Sequence, residues 1–400
     1  LLYNLVISLY AFFVQVFYLF GHKKAKEFIA IRKVQSVHAF EKPHIWIHAA
    51  SAGEGNQAIP LAIQLKEVLN CKITISFFSP SGYHFHKNTG CFDQVLNLPL
   101  DQPNLARKFI AQLQPSAAIF IRKELWLNTL SILKEKKIPA FLVNANPNNF
   151  MQNSLLKGYH TKCLHLFKQI YLTEKTENKL FKSFLVSNIV GDTKFENAFE
   201  FPYQKDAILD DFSASSTVVI VGSSWPQEEQ LLSNFVNQQP HFDIKIVIAP
   251  HNVQRSRIEE IQSKFPNNTV LYSQYHNPSN AKVLILDVMG KLKNSYQYAD
   301  IAIIGGGMGK GIHNILEAIA CFKPIMIGPN YQKFSEANEL VEQKLISTFK
   351  NRASFEEILT QFIQFPEKFA SKKPQLIEYL QTKKSIAKSI ATDILEHITP

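Results

Sequence analysis

Residues 44–69 read HIWIHAASAGEGNQAIPLAIQLKEVL. The stretch opens on a β-branched and aromatic run, which predicts a strand over His44–Ala49. It closes on apolar residues at helical spacing, which predicts a helix over Gln57–Leu69. Between them lies Ala49-Ala50-Ser51-Ala52-Gly53-Glu54-Gly55, small residues that let a ligand approach the backbone. A strand running through such a loop into a helix is the opening unit of a parallel, doubly wound sheet. The same rhythm continues with strands at Ile73–Phe77, Ala117–Ile121 and Ala140–Asn144 and helices at Asn104–Leu113 and Trp126–Lys136. A second series begins at Thr217–Gly222. It continues through strands Lys245–Ala249, Val283–Leu286, Ile301–Ile304 and Pro324–Ile327, with helices expected after Pro226, Val253, Gly290, His313 and Phe334. Phe195–Ser216, rich in acids and serine, separates the two series. The fold expected is therefore α/β, two Rossmann-like domains facing a cleft, at 21–205 and 206–400, behind an apolar segment at 1–20. Ligands in such sheets bind beyond the carboxyl ends of the strands, so the chemistry is expected in the strand-to-helix loops.

The 400 residues are 46% hydrophobic and 19% charged, which excludes a disordered or fibrous chain. The four cysteines form no CxxC pair, so neither a disulfide framework nor a structural zinc site is expected. His84 and His86 lack a third ligand nearby, and no metal is expected in the active site. No G-x-S-x-G elbow is present, which disfavours an α/β-hydrolase. The net charge of +10 points to an anionic partner. Residues 1–20, LLYNLVISLYAFFVQVFYLF, carry no charge and as a helix would reach roughly 30 Å, about one bilayer core. A signal peptide places its basic residues before the apolar run and a small-residue cleavage site after it. Here Lys23, Lys24, Lys26, Arg32, Lys33 and Lys42 follow the run and no A-x-A site does. The segment reads as an uncleaved anchor, spanning or interfacial, with its basic flank on the cytoplasmic side against anionic lipid. No basic recognition helix or RNA-binding motif accompanies the charge, so nucleic acid is not the partner expected.

Four loops are candidates for chemistry. Glu54 falls at or near the amino terminus of the first helix, in a loop that a ligand could approach, or merely as an acid that complements the helix dipole. In Gly222-Ser223-Ser224-Trp225-Pro226-Gln227-Glu228-Glu229 the serines, Pro226 and the acids suit a helix start, and Trp225 is left to pack in the core or line a site. Gly305-Gly306-Gly307-Met308-Gly309-Lys310-Gly311-Ile312-His313 follows a strand and is expected to open a helix. Its glycines would leave N–H groups free for a phosphate. It is not a Walker A loop, because no GK[ST] ends it. His313 and Glu317, four apart, would share a helix face, as ligand contacts or as a surface pair. Ala249-Pro250-His251-Asn252 and Asp287-Val288-Met289-Gly290-Lys291 also lie at strand ends of the second series.

In this order the pieces IWIHAASAGEGNQAIPL, SFFSPSGY, LPLD, ELWLN, GDTKF, GSSWPQEE, IAPHN, DVMGKL, GGGMGKGIHNILEA and IGPNYQKF resemble the 3-deoxy-D-manno-octulosonic acid (Kdo) transferases of lipopolysaccharide assembly, over nearly the whole chain. That family is similar to GT-B glycosyltransferases, whose carboxyl-terminal helices return across the first domain. The resemblance implies inverting transfer of Kdo from CMP-Kdo to a lipid A precursor at the inner membrane, with no metal. It implies Glu54 as proton acceptor. It also implies CMP contacts from Pro250, His251, Met289, Gly290, Lys291, Asn314, Ile315, Leu316 and Glu317, with Gly305, Gly306 and Gly307 near the phosphate. The chain departs from the family pattern at four places. His251 replaces an arginine, Lys291 replaces the acid of MGE, Arg122 and Lys123 open the E-T-E-L-W stretch, and Asn146 replaces the arginine of N-A-R. The rivals are another GT-B transferase or a UDP-sugar epimerase, and a non-catalytic module for anionic lipid or nucleic acid.

Overall fold

The computed structural model describes residues 2–33, 35–150, 156–175, 181, 186–196, 204–214, 216–266, 268–276 and 281–398. The chain divides into two compact units, Leu1–Asn197 with Lys383–Pro400, and Ala198–Thr382.

The first unit opens with helices α1 (Leu2–Leu19) and α2 (Lys23–Lys33). Its sheet is parallel throughout, built from β1 (His44–Ala49), β2 (Lys72–Phe77), β3 (Gln94–Asn97), β4 (Ala117–Ile121), β5 (Ala140–Ala145), β6 (Gln169–Leu172) and β7 (Val186–Val190) in the order β3-β2-β1-β4-β5-β6-β7. Alternation along β1 sorts the core into two layers. Ile45, Ile47 and Ala49 face α3 (Ala52–Leu69), while Trp46 packs on the opposite side with Phe109 and Phe120. Burial on both faces is why these strands read as continuous apolar runs.

The second unit repeats the plan with β8 (Thr217–Ser224), β9 (Ile244–Pro250), β10 (Thr269–Leu271), β11 (Val283–Ile285), β12 (Ile301–Ile304), β13 (Ile325–Ile327) and β14 (Ser347–Thr348). The order is β10-β11-β9-β8-β12-β13-β14, again parallel.

Two expectations are corrected. The sequence assigns 206–400 to the second domain, but the last helix, Ile386–Ile398, joins the first unit. Its Ile386, Ala387, Ile390, Ala391 and Ile394 pack in the core layer formed by β1 and α3. Tyr171 Oη donates to Asp393 at 2.6 Å, and the Ala387 N–H donates to the Glu196 carboxylate at 3.1 Å. The first helix also begins five residues before Gln57. Ser51 caps it by accepting the Glu54 N–H, so Gly53, Glu54 and Gly55 are helical.

Candidate functional site

In each sheet the connections reverse direction beside the first strand, between β1 and β4 and between β8 and β12. A crevice opens beyond the carboxyl ends of the strands at such a switch point. The loops that flank these two crevices hold the polar clusters described next.

At the first, Glu54 stands in the opening turn of α3, half-buried, and its Oε2 accepts the Ala50 N–H at 2.6 Å. Burial raises its pKa above 4.5, and the nearby Glu124 carboxylate adds to the rise. The Ala50 amide, Arg122 and His48 oppose it. His48, on β1, is fully buried. Its Nδ1 meets Ser76 Oγ at 2.9 Å, and its Nε2 lies 3.3 Å from Glu124 Oε2. The Trp126 indole N–H is shared between Glu124 Oε2 at 2.8 Å and His48 Nε2 at 3.0 Å. Arg122 follows β4 with φ +65, an uncommon conformation for a residue with a side chain. Asn144, at the end of β5, also has positive φ. Its Nδ2 donates to Thr193 Oγ1 at 2.7 Å, and Thr193 Oγ1 donates to the Gln57 carbonyl at 2.6 Å, which ties the GDTKF segment to α3. His86 stacks on Phe77 and reaches the Ala52 carbonyl at 3.0 Å, whereas His84 pairs with Glu27 at 3.2 Å. The two histidines thus serve different contacts, and His86 braces the first turn of α3, which carries Glu54.

No role was read from the sequence for His48, Ser76, Arg122 or Glu124 beside Glu54. The signal for three of them was positional: His48 ends β1, while Arg122 and Glu124 follow β4, the strand beside it.

At the second crevice, Trp225 lies nearly parallel to His251, with centroids 4.9 Å apart, and donates its indole N–H to His313 Nε2 at 2.9 Å. His251 and His313 are themselves 4.5 Å apart. Burial lowers the His313 pKa, and the nearby His251 lowers it further. Pro250 closes β9, buried, and the His251 N–H bonds the Ser224 carbonyl at 3.1 Å. Met289 is 77% exposed, and Gly290 turns with φ +84. Lys291 is paired with Asp206 at 3.0 Å, and Tyr272 Oη donates to the same Asp206 oxygen at 2.6 Å.

The glycine loop differs from the expectation in two ways. Most of its amides are engaged within the protein. Gly305 N–H bonds Gly222 O, Gly309 and Gly311 both bond Gly306 O, His313 bonds Gly305 O, and Met308 bonds Glu228 Oε1 at 3.1 Å. Glu228 is a buried carboxyl group that meets the loop at the Met308 N–H. Burial raises its pKa, while the amides of Met308, Glu228 itself, Gly306 and Trp225 hold it down. A Cβ on Gly307 would come within 2.6 Å of Gly328 N, so close backbone packing calls for glycine there. The helix expected from His313 is also a single turn, Leu316–Ile319, and His313 and Glu317 do not share a helix face. Asn314 Oδ1 accepts the Leu316 N–H and Asn314 Nδ2 donates to Glu317 Oε1, both at 3.1 Å. Ile315 and Leu316 bury their side chains, leaving only their backbone for a ligand. Burial raises the Glu317 pKa against the opposing influence of Lys293 and Asn314. Glu229 is not a simple helix-end acid either, since it accepts from Ser224 Oγ at 2.7 Å and pairs with Arg257 and Lys264.

Two seven-stranded parallel sheets, each with its polar cluster at the switch point, are the plan of GT-B glycosyltransferases. Solved structures agree on the fold. A UDP-GlcNAc 2-epimerase from Neisseria meningitidis, bound to UDP-GlcNAc, matches over 88% of this chain and 100% of its own at TM-score 0.61 and 15% identity. A calicheamicin glycosyltransferase matches over 90% and 98% at TM-score 0.55 and 11% identity. The profile of the 3-deoxy-D-manno-octulosonic-acid transferase domain matches residues 22–197. Transferases of that name from Aquifex aeolicus and Chlamydia trachomatis serovar D are each 26% identical to this chain. The first alignment covers 76% of this chain and 81% of the relative, the second 81% and 79%. A probable mitochondrial one from Arabidopsis thaliana is 28% identical over 75% and 72%. The chain is thus similar to 3-deoxy-D-manno-octulosonic acid transferases, by the domain match at 22–197 and by these relatives over about three quarters of its length.

Proposed function

We propose that this chain moves Kdo from CMP-Kdo to a glucosamine hydroxyl of a lipid A precursor, with inversion, at the cytoplasmic face of an inner membrane. The observation that carries the reading is Glu54. It is a carboxylate at a switch-point crevice, anchored by the Ala50 amide, with its pKa raised by burial and Glu124. The acceptor oxygen attacks the Kdo anomeric carbon, the bond from that carbon to the CMP phosphate oxygen breaks, and the acceptor proton passes to Glu54. A carboxylate is a weak base for a sugar hydroxyl, so the proton moves late, when the oxygen has grown acidic. The raised pKa narrows the mismatch. In the second unit CMP is held by Pro250, His251, Met289, Gly290, Lys291 and the Asn314–Glu317 segment. Glu317 accepts from the ribose hydroxyls, and the backbone of Asn314 and Ile315 faces the phosphate. The Gly305–Gly307 backbone braces that segment, and the reaction proceeds without a metal ion.

The test is mass spectrometry of a tetra-acylated lipid A precursor incubated with a CMP-Kdo generating system. The wild type should add Kdo. Glu54→Gln should lose about 10²–10⁴-fold in kcat while CMP still raises its melting temperature. Near-normal turnover in that variant would remove Glu54 from the mechanism. The fold neighbours include an epimerase holding UDP-GlcNAc, so UDP should be run beside CMP. Stabilisation by UDP alone would favour the epimerase-like reading.

A further inference from the structure

Helix α1 is long and apolar enough to cross a membrane, yet it is fastened to the first unit along its length. Near its start Tyr3 Oη donates to Asp101 at 2.6 Å, Tyr3 stacks on Tyr159 at 5.4 Å, and Asn128 Nδ2 donates to Asn4 at 2.8 Å. In the middle Tyr10 meets Phe28 and Phe78, each at 6.3 Å. Near its end Lys33 Nζ lies 5.5 Å over the Tyr18 ring. Of the six partly covered residues of α1, Tyr3, Ile7, Ala11, Val14 and Tyr18 recur at helical spacing and mark the docked face, and Val16 falls outside that stripe. Leu5, Val6, Leu9, Phe12, Phe13 and Phe17 are exposed on the other side.

A spanning helix is incompatible with these contacts. Tyr3 and Tyr18 are separated by roughly 22 Å along the axis. If the helix stood upright, the groups around Tyr3 would sit most of the way across the hydrocarbon. Among them Asp101 also accepts the N–H groups of Asn128 and Thr129 and the Thr129 hydroxyl. A carboxylate and amides at that depth are strongly disfavoured.

We propose that α1 lies in the plane of the bilayer surface as a monotopic element. Its Leu5–Phe17 face is sunk into one leaflet, and the exposed Lys23, Lys24, Lys26 and Lys33 of α2 meet anionic headgroups. The partner is an anionic lipid surface and not a second copy of the chain, because a copy would bring the same lysines against these. An apolar stripe beside a lysine-rich segment is the composition that binds such an interface. This goes beyond the membrane attachment proposed above, which fixes neither depth nor orientation.

Three measurements on the full chain with phosphatidylethanolamine–phosphatidylglycerol vesicles test it. In flotation, Phe12→Ser/Phe13→Ser should weaken binding about a hundredfold or more, from two aromatic side chains lost to the interface. Replacing phosphatidylglycerol by phosphatidylcholine should weaken binding further. In Asn4→Cys/Asn128→Cys, with Cys163→Ala, mild oxidation of the membrane-bound protein should give a linked peptide by mass spectrometry. Nitroxides at Leu5→Cys and Phe17→Cys should report the same shallow depth, whereas a spanning helix would separate them by roughly 18 Å. A depth difference of that size without the cross-link would overturn the in-plane helix while leaving membrane attachment standing. Absence of flotation by the wild type would overturn both. Transfer activity is read separately, so its failure is distinguishable from either.

Discussion

Gly53 and Gly55 sit two residues apart on either side of Glu54, and the same substitution should act on them in opposite directions. A Cβ built on Gly55 would lie 2.7 Å from His86 Cδ2 and 2.7 Å from Phe77 Cε1, against an ordinary contact of 3.4–4 Å. Both rings are buried and stacked 5.1 Å apart, so neither can turn to solvent. Room for one methyl requires movement of roughly 1 Å, and overpacking of this kind costs about 1–3 kcal/mol. If the His86–Ala52 hydrogen bond is lost with it, another ~1 kcal/mol goes. Alanine recovers up to about 1 kcal/mol of helix propensity. The net expectation for Gly55→Ala is a loss of about 1–3 kcal/mol, or roughly 2–12 °C in the melting temperature of a domain this size. The same shift moves Glu54, and a misplacement of ~1 Å can cost about 10²-fold in kcat. At Gly53 a Cβ meets nothing within 4 Å, so Gly53→Ala should keep activity and gain up to about 1 kcal/mol. Calorimetry and single-turnover transfer assays on both variants check this. If Gly55→Ala melts and turns over like the wild type, the close packing of α3 against His86 does not position the base.

Removing Glu228 should be costly because the Met308 N–H then has no acceptor. Glu228→Ala should lose about 1–3 kcal/mol, whereas Glu228→Gln keeps an acceptor and should lose less in the same denaturant titration. The proposed role of Glu54 as base requires its ionised form, and its pKa is raised by burial first and Glu124 second. Transfer should therefore fall as pH drops through a value above 4.5, and in Glu124→Gln, which removes the second cause, the acidic limb should move to lower pH. A pH–rate profile for kcat/KM with an unmoved limb would remove Glu124 as a contributor. His251 stacks on Trp225 beside the proposed CMP contacts, so His251→Ala should weaken CMP binding in a calorimetric titration with transfer at saturating donor little changed.

Much of the fold is legible in the chain because burial on both faces leaves a continuous apolar run, as in HIWIHA and TVVIV. β1, β4 and β12 fall where those runs do, and the small-residue loop after β1 marks Glu54. The strands that escaped reading, β3, β6, β7, β10 and β14, are all shorter or lie toward the edges of the sheets, where less of each strand is core. Glycine content alone leaves 305–311 open, since the same five glycines suit a phosphate cradle or an internal carboxylate. The bond from the Met308 N–H to Glu228, in the first turn of the helix Pro226–Gln238, is a contact that the glycines do not announce.

The amino-acid sequence by itself determined the class of fold, the strand-end loops that carry the polar residues, and an apolar segment followed by lysines. Those are local properties, set by periodicity, side-chain volume and charge along the chain. The tertiary structure decided which groups meet. His48, Glu124 and Trp126 gather beside Glu54 because β1 and β4 are neighbours at a reversal of strand order. Lys291 is engaged with Asp206, and the last helix belongs to the first unit through an apolar stripe that fits α3. Contacts between residues tens or hundreds of positions apart depend on sheet order and packing, which no local pattern encodes.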